Sequence, residues 1–281
     1  MGRFHRHDDG TVHEHDHDHS HDHDHPHDHD HPHDHDVPLL SRDESRAELI
    51  GDHREYETGL ERIEILERIY GENDEAAEDN RAKLDAAGVV AVNLMSSPGA
   101  GKTTLMARTL AELQGKVRCG VIEGDIETSI DADRLGGYGA QISLLNTGDG
   151  FGGECHLDAP MVAHAMESLD LHGLDLLLIE NVGNLVCPAE FDVGAHFRAM
   201  IASVTEGEDK PLKYPVMFRS VDVVVVNKTD LLPYLDFDMG LFLANLKAIN
   251  PDARVIKTCA TTGQGVDEWV SWLTQSLPVS A

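Results

Sequence analysis

The pattern of apolar and polar positions divides the chain into three zones. Residues 1–37 contain almost no apolar side chains. They cannot bury enough surface to offset the entropy of ordering the chain, so we expect a disordered tail. Residues 38–88 carry apolar side chains at helical spacing. Across residues 89–281, short apolar runs alternate with amphipathic segments, which is typical of a domain that contains both strands and helices.

The middle zone is predicted to be helical. Its apolar spacing predicts a first helix from about residue 45 to 70, which Gly71 is expected to end. A second helix is predicted over residues 74–87, with Gly88 as its C-cap. This zone carries no motif with a chemical role, and we expect its helices to pack against the domain that follows.

The third zone is predicted to be an α/β domain. Its apolar runs predict strands at Val89–Met95, Val117–Ile122, Gln141–Leu145, Leu174–Ile179, Val221–Val226 and Arg254–Lys257. Helices are predicted after the first strand and at Asp131–Leu135, Ala159–Leu169, Phe237–Ile249 and Val266–Leu277. Strands that read as continuous apolar runs are covered on both faces, so a mostly parallel sheet flanked by helices is expected. Ligands of such sheets bind beyond the carboxyl ends of the strands.

A glycine-rich loop joins the first strand of this domain to the helix that follows. It reads Ser-Ser-Pro-Gly-Ala-Gly-Lys-Thr-Thr over residues 96–104. A strand, a glycine loop and a helix together form a phosphate-binding loop (P-loop), because backbone N–H groups and the helix N-terminus surround the phosphates. Lys102 is predicted to bind the β- and γ-phosphates and to act in hydrolysis, and Thr103 to bind Mg²⁺. The other predicted nucleotide contacts in this loop are Gly99, Ala100, Gly101 and Thr104.

A second nucleotide motif, Asn-Lys-Thr-Asp, follows the strand that ends at Val226. The carboxylate of Asp230 can accept hydrogen bonds from N1–H and N2–H₂ of guanine together, and adenine lacks this donor pair. Asn227 is predicted to contact the other edge of the base, and Lys228 to lie over the base and brace the loop. The loop after the next strand completes the predicted base site with Cys259 and Ala260.

Two carboxylates follow strands that are expected to lie beside the P-loop strand. Asp125 comes after the strand at 117–122, and Glu180 ends the strand at 174–179. Carboxylates at these positions can hold Mg²⁺, directly or through water, or can orient the attacking water. We assign Asp125 to Mg²⁺ and both residues to catalysis, although their roles could be exchanged.

Cysteine and histidine residues lie in two loops at the same edge of the predicted sheet. Cys155 and His156 follow a glycine-rich segment, and Cys187 lies in the loop after Glu180. This set of sulfur and nitrogen donors suits Ni²⁺ or Zn²⁺. Three donors do not complete a tetrahedral site, so the site could stay open for delivery or gain ligands from a dimer partner.

The tail contains a second group of possible metal ligands. Residues 1–37 include fourteen histidines, which mostly alternate with aspartate. Neutral imidazole binds Ni²⁺, Zn²⁺ and Cu²⁺, so we predict metal storage rather than a purification tag or a solvated acidic tail, with affinity falling below about pH 6. The predicted ligands are His13, His15, His17, His19, His21, His23, His25, His27, His29, His31, His33 and His35.

Composition excludes several classes of function. The formal net charge of -29 argues against non-specific binding to nucleic acid or to anionic membranes. No apolar run approaches the ~20 residues of a membrane span, and the N-terminus lacks the apolar core of a signal peptide, so we expect a cytoplasmic protein. The chain's four cysteines do not indicate a disulfide framework in a chain of this length.

Taken together, these motifs resemble the HypB family, GTPases that assist nickel insertion during maturation of [NiFe]-hydrogenase. The resemblance covers about residues 45–280 and rests on the P-loop, Glu-Gly-Asp at 123–125, Cys-His-Leu-Asp-Ala at 155–159, Glu-Asn-Val-Gly-Asn-Leu-Val-Cys-Pro at 180–188, and Asn-Lys-x-Asp at 227–230. It implies a slow, Mg²⁺-dependent GTPase of the dimerising metal-insertion subclass, with GTP or GDP and Ni²⁺ as ligands and Zn²⁺ possible at the same sites. It also implies a homodimer promoted by nucleotide or metal. The implied partners are the hydrogenase large subunit and other nickel-insertion accessory proteins.

Two other functions are compatible with these motifs. The urease accessory GTPases carry Cys-Pro-His as their metal motif, whereas here Ala189 follows Cys187-Pro188. A nickel or zinc storage protein with a regulatory nucleotide domain is the alternative from a different class.

The segment 148–154 is longer than is usual in the HypB family, which could shift Cys155 and His156 relative to Cys187.

Overall fold

The computed structural model describes residues 5–6, 12–13, 54–124, 135–145 and 155–277. The chain divides into two compact units, Met1–Glu55 and Tyr56–Ala281. In the first unit, His5–Arg6 (β1) pairs antiparallel with Val12–His13 (β2). The rest of the predicted histidine-rich tail lies outside the described residues, as do Asp125, the segment 146–154 and most of the helix predicted at 131–135.

One sheet of seven strands organises the described part of the second unit. Its strands are β3 (Val90–Ser96), β4 (Cys119–Glu123), β5 (Gln141–Leu144), β6 (Leu176–Glu180), β7 (Phe197–Ser203), β8 (Val223–Asn227) and β9 (Arg254–Lys257). They lie in the order β5-β4-β6-β3-β7-β8-β9, and every neighbouring pair is parallel. The predicted parallel sheet is therefore confirmed. All seven carboxyl ends meet at one edge, and the P-loop strand β3 lies in the middle.

Helices cover both faces of this sheet. They are α1 (Arg54–Ala87), α2 (Lys102–Leu113), α3 (Ala159–Met166), α4 (Cys187–Glu190), α5 (Lys210–Lys213), α6 (Pro215–Arg219), α7 (Met239–Ile249) and α8 (Val266–Gln275). Short 3₁₀ helices lie at Leu171–Gly173 and Thr229–Tyr234. Within the described residues, no helix combines the length and the apolar character needed to cross a bilayer.

Alternate residues of β3 enter cores on opposite faces of the sheet. On one face, Val92 and Leu94 pack with α2 and α8, where Trp269 is almost fully buried. On the other face, Ala91 packs in a core that includes Leu84 of α1 and residues of α3. A third core on that second face joins β7 and β8 to α6 and α7. Burial on both faces explains why most strands read as continuous apolar runs.

The prediction of two helices in the middle zone is wrong. Helix α1 runs without a break from Arg54 to Ala87 and passes through Gly71. One glycine inside a helix costs only about 1 kcal/mol relative to alanine, and the packed turns that follow it offset that cost. The predicted C-cap at Gly88 is confirmed: its φ is +72°, and its N–H donates to the carbonyl of Asp85 at 3.1 Å.

Strand β7 was not predicted. It lies between β3 and β8 and places the segment that follows it next to the P-loop. Its sequence, Phe-Arg-Ala-Met-Ile-Ala-Ser, has an arginine near its start and a single β-branched residue, so its strand pattern is weaker than that of its neighbours. The sheet consequently has one more strand than the sequence predicts.

Candidate nucleotide and metal site

The P-loop leaves β3 at Ser96 and ends where α2 begins at Lys102. Gly101 has a φ of +99°, and a Cβ at this position would lie 2.6 Å from Nδ2 of Asn227, so only glycine fits. The Lys102 side chain is 5% exposed, and its Nζ donates to Oγ of Ser96 at 3.0 Å. The hydrogen bond to Ser96 therefore holds the predicted phosphate-binding lysine inside the loop. Ser96 occupies the first position of the motif, where glycine is usual.

Thr103 and Glu180 lie together beside this loop. Oγ1 of Thr103 donates to Oε1 of Glu180 at 2.9 Å, and Glu180 is 1% exposed. Strand pairing places Glu123 next to Glu180, and Glu123 is equally buried. Glu123 was not predicted as a site residue; it is the last residue of β4, two positions before Asp125. The structure thus places one buried carboxylate, Glu180, on the predicted Mg²⁺-binding hydroxyl, and a second, Glu123, next to Glu180 in the sheet.

Two side chains of the Asn-Lys-Thr-Asp loop donate hydrogen bonds to backbone carbonyls of the P-loop. Asn227 is 2% exposed; its Nδ2 donates to the carbonyl of Ala100 at 3.0 Å, and its Oδ1 accepts from the N–H of Ala260 at 3.1 Å. Lys228 adopts a φ of +61°, and its Nζ donates to the carbonyl of Gly99 at 2.7 Å. Asn227 therefore holds the two nucleotide loops together. Asp230 is exposed at the start of the following 3₁₀ helix.

The loop after β9 is fixed in the same way. Cys259 and Ala260 are buried. The guanidinium of Arg108, on α2, donates to the carbonyls of Ala260 at 3.4 Å and Thr261 at 3.0 Å. Helix α2 therefore connects the phosphate-binding end of the site to the predicted base-binding loop.

A polar contact that was not predicted lies at the start of the P-loop. Oγ of Ser97 donates to Oε2 of Glu206 at 2.6 Å, and the other oxygen of Glu206 accepts from the N–H of Ser203 at 3.2 Å. Nζ of Lys210 lies 3.8 Å from the same carboxylate. Glu206 and Lys210 follow β7, so the contact could not be found without predicting that strand.

The predicted metal ligands come together at the same edge of the sheet. The ligand atoms of Cys155, His156 and Cys187 all lie within 4.8 Å of one another. The two sulfurs are 3.0 Å apart, and Sγ of Cys155 is 3.6 Å from Nδ1 of His156. Cys155 is exposed and the other two side chains are half-buried. Among the described residues, these three form the single cluster of this kind, and it is accessible from solvent.

One short segment, residues 180–187, runs from the P-loop to this cluster. A Cβ at Gly183 would lie 3.0 Å from Cα of Pro98, so the segment packs directly on the P-loop. Nδ2 of Asn184 donates to the carbonyl of Cys155 at 3.1 Å, and its Oδ1 accepts from the N–H of Val186 at 2.9 Å. The segment therefore packs on the P-loop through Gly183, contacts the Cys155 backbone through Asn184, and ends at Cys187.

The fold and the P-loop define the class of this protein as a P-loop nucleotide-binding protein. The family described as "CobW/HypB/UreG, nucleotide-binding domain" matches residues 90–257. This range contains the P-loop, the cluster of Cys155, His156 and Cys187, and the Asn-Lys-Thr-Asp loop.

Comparison with known proteins identifies the family within this class. The chain is 49% identical over 229 residues to the hydrogenase maturation factor HypB of Azotobacter chroococcum mcd 1, covering 79% of this chain and 73% of that protein. The crystal structure of HypB from Archaeoglobus fulgidus matches with a TM-score of 0.68 and 40% identity, covering 73% of this chain and 98% of that one. HypB from Helicobacter pylori, in a crystal structure with nickel, matches with a TM-score of 0.68 and 33% identity, covering 75% and 99%. The chain belongs to the HypB family, which confirms the resemblance found in its motifs.

Proposed function

We propose that this chain is a GTP-hydrolysing nickel metallochaperone that assists nickel insertion into [NiFe]-hydrogenase during maturation. Family membership supports the maturation role, because its relatives are named as hydrogenase maturation factors. A solved relative in complex with nickel supports the choice of metal. The observation that carries the proposal is the segment 180–187, which begins at the Thr103–Glu180 hydrogen bond and ends at a sulfur of the metal-ligand cluster.

In the proposed nucleotide site, Lys102 binds the β- and γ-phosphates together with the backbone of residues 99–104. Thr103 and Asp125 hold Mg²⁺, which neutralises charge on the phosphates during transfer. A hydroxyl can donate to Glu180 and present its lone pairs to a cation at the same time, so the observed hydrogen bond is compatible with this role. Glu180 is proposed to orient the attacking water.

In the proposed metal site, nickel is the cargo. Cys155, His156 and Cys187 offer two sulfurs and one nitrogen, a donor set that also accepts Zn²⁺. Three protein donors leave room for a further ligand, so a receiving protein can engage the ion before these side chains release it. Release would follow a change in the loops, because segment 180–187 contacts the P-loop and the cluster together.

We assign the zones of the chain to parts of this task. Residues 1–37 store nickel on their histidines, residues 38–88 support the domain, and residues 89–281 form the GTPase. The protein is proposed to act in the cytoplasm as a homodimer promoted by nucleotide or metal. Its partners are the hydrogenase large subunit and other nickel-insertion accessory proteins.

Guanine recognition is tested by Asp230→Asn. The change removes the acceptor for N1–H and N2–H₂ of guanine, so GTP affinity should fall about 100-fold, which corresponds to ~2.7 kcal/mol, while ATP affinity changes little. Xanthine carries a carbonyl where guanine has its amino group, so the new amide should favour xanthosine triphosphate. Competition against a fluorescent guanine nucleotide measures all three affinities.

Asp236→Asn is the matched control for this prediction. Asp236 is also exposed, and it lies just after the 3₁₀ helix whose first turn contains Asp230. It removes the same charge and should leave GTP affinity unchanged. If Asp230→Asn weakens GTP and ATP equally and gains no affinity for xanthosine triphosphate, Asp230 does not read the base and guanine specificity is lost from the proposal.

A further inference from the structure

One face of helix α1 packs against the segments that carry the metal ligands. Tyr70, Asn73, Ala77, Asn80 and Leu84 recur every three or four residues, and all but Tyr70 are buried. Asparagine is uncommon on a buried helix face, because burial removes its hydrogen bonds to water unless protein groups replace them. The two asparagines therefore need specific partners, and the Nδ2 groups of both donate to the chain segments that follow the metal ligands.

Asn73 uses both ends of its amide to join two separate segments. Its Nδ2 donates to the carbonyl of Asp192 at 2.9 Å, and its Oδ1 accepts from the N–H of Ala159 at 2.9 Å. Ala159 lies three residues after His156, and Asp192 lies five residues after Cys187. A single side chain that is 4% exposed therefore connects the two chain segments whose ligands must meet.

Asn80 repeats this connection two helical turns later. Its Nδ2 donates to the carbonyl of Ala159 at 2.8 Å and to that of Val193 at 3.2 Å. The next residue, Arg81, donates to the carbonyl of Ala195 and lies 3.9 Å from the carboxylate of Asp192. Helix α1 therefore forms hydrogen bonds to the same two segments at successive points along its length.

Aromatic contacts extend from this face of α1 to a ligand itself. The hydroxyl of Tyr70 donates to Oε2 of Glu190 at 3.2 Å, and the Tyr70 ring lies 5.1 Å from the ring of Phe191. The Phe191 ring in turn lies 4.1 Å from the imidazole of His156. The helix therefore fixes the backbone of both ligand-bearing segments and also limits the rotation of one ligand ring.

We propose that Asn73 is a positioning residue of the metal site: from a helix that bears no ligand, it sets the separation between Cys155-His156 and Cys187. The inference rests on the proposed function of that cluster. Ligand groups bind a metal tightly only when supporting contacts hold them close to the required geometry. This role gives helix α1 a function that its sequence, which carries no chemical motif, does not reveal.

The test is Asn73→Asp in the full chain. The carboxylate keeps the size of the side chain and still accepts from the N–H of Ala159, but it cannot donate to the carbonyl of Asp192 and repels it. Nickel chloride is titrated against a competing chelator and followed by thiolate-to-nickel absorption, to which the tail histidines do not contribute. We expect nickel affinity at the cysteines to fall about 10- to 100-fold, the usual effect of losing a supporting contact.

Asn250→Asp is the matched control. Nδ2 of Asn250 donates to the carbonyls of Phe218 at 2.9 Å, Arg219 at 3.3 Å and Val221 at 2.9 Å. These groups precede β8, at the edge of the sheet opposite the metal cluster. This variant should lose stability but keep the nickel absorption. Asn73→Ser is a second variant of smaller size, in case the carboxylate prevents folding, and thermal unfolding and GDP affinity are measured for all of them.

The outcomes separate this inference from the proposed function. Absence of the thiolate band in the unaltered chain overturns the proposed metal site and the inference with it. A normal band in the unaltered chain, with nickel affinity of both Asn73 variants within twofold of it, overturns only the positioning role. Equal loss of nickel affinity in Asn73→Asp and Asn250→Asp also overturns that role, because it would reflect lost stability alone.

Discussion

Replacing Cys187 by alanine is expected to abolish the thiolate-to-nickel absorption of the full chain. Cys187 supplies one of two sulfurs in a cluster of three donors, and its Sγ lies 3.0 Å from that of Cys155. Without Cys187, the remaining donors are Cys155 and His156, which are adjacent in sequence and supply ligands from one loop only. The loss of affinity should exceed the ~10- to 100-fold effect of removing a supporting contact. Nickel titration against a competing chelator measures it.

Cys119→Ala is the matched control for this prediction. Cys119 is buried at the start of β4, and burial, with a smaller contribution from the charge of Asp175, raises the pKa of its thiol to about 12. The thiol is therefore protonated at neutral pH, and only a thiolate is a good nickel ligand. The control should retain the full absorption band. A band of normal intensity in Cys187→Ala would remove Cys187 from the site.

The second large effect is expected at the P-loop. Lys102→Ala should lower GTP hydrolysis about 100- to 1000-fold, the usual cost of losing one preorganised donor to charge that develops in the transition state. Lys102 is the buried cation of the loop, and Oγ of Ser96 already holds its ammonium group in place. Phosphate release at saturating GTP and Mg²⁺ measures the rate.

Lys116→Ala controls for the removal of a positive charge near the same helix. Lys116 is exposed just beyond the end of α2, where its Nζ donates to the carbonyl of Glu112 at 2.8 Å. Hydrolysis by this control should match the unaltered chain. Turnover by Lys102→Ala within threefold of the unaltered rate would contradict the assignment of Lys102 to catalysis.

Much of the sheet could be predicted because most of its strands are buried on both faces. Each of the six predicted strands was found within about two residues of its expected position. Arg254–Lys257, an edge strand that is only partly buried, matched at both ends. The P-loop and the Asn-Lys-Thr-Asp loop could also be located from the sequence, because each is a contiguous motif at a strand end. The structure brings the ligand atoms of Cys155, His156 and Cys187 within 4.8 Å of one another, because parallel strands deliver their loops to one edge.

The unpredicted features depend on contacts between distant parts of the chain. Strand β7 has a weak apolar pattern and is held by β3 and β8 on its two sides. The bond between Ser97 and Glu206 exists because β7 brings them together. Asn73 looks like an ordinary polar helix residue until its partners, more than 80 positions away, are seen. Local periodicity carries no information on such pairs.

In the proposed function, the nucleotide site controls the metal site through the segment 180–187. Nickel affinity of the full chain, followed by thiolate absorption with GDP and then with a non-hydrolysable GTP analogue, tests it most directly. We expect the affinity at the cysteines to differ at least fivefold between the two nucleotides, the lower end of typical coupling between sites. Equal affinity in the two states would contradict the claim.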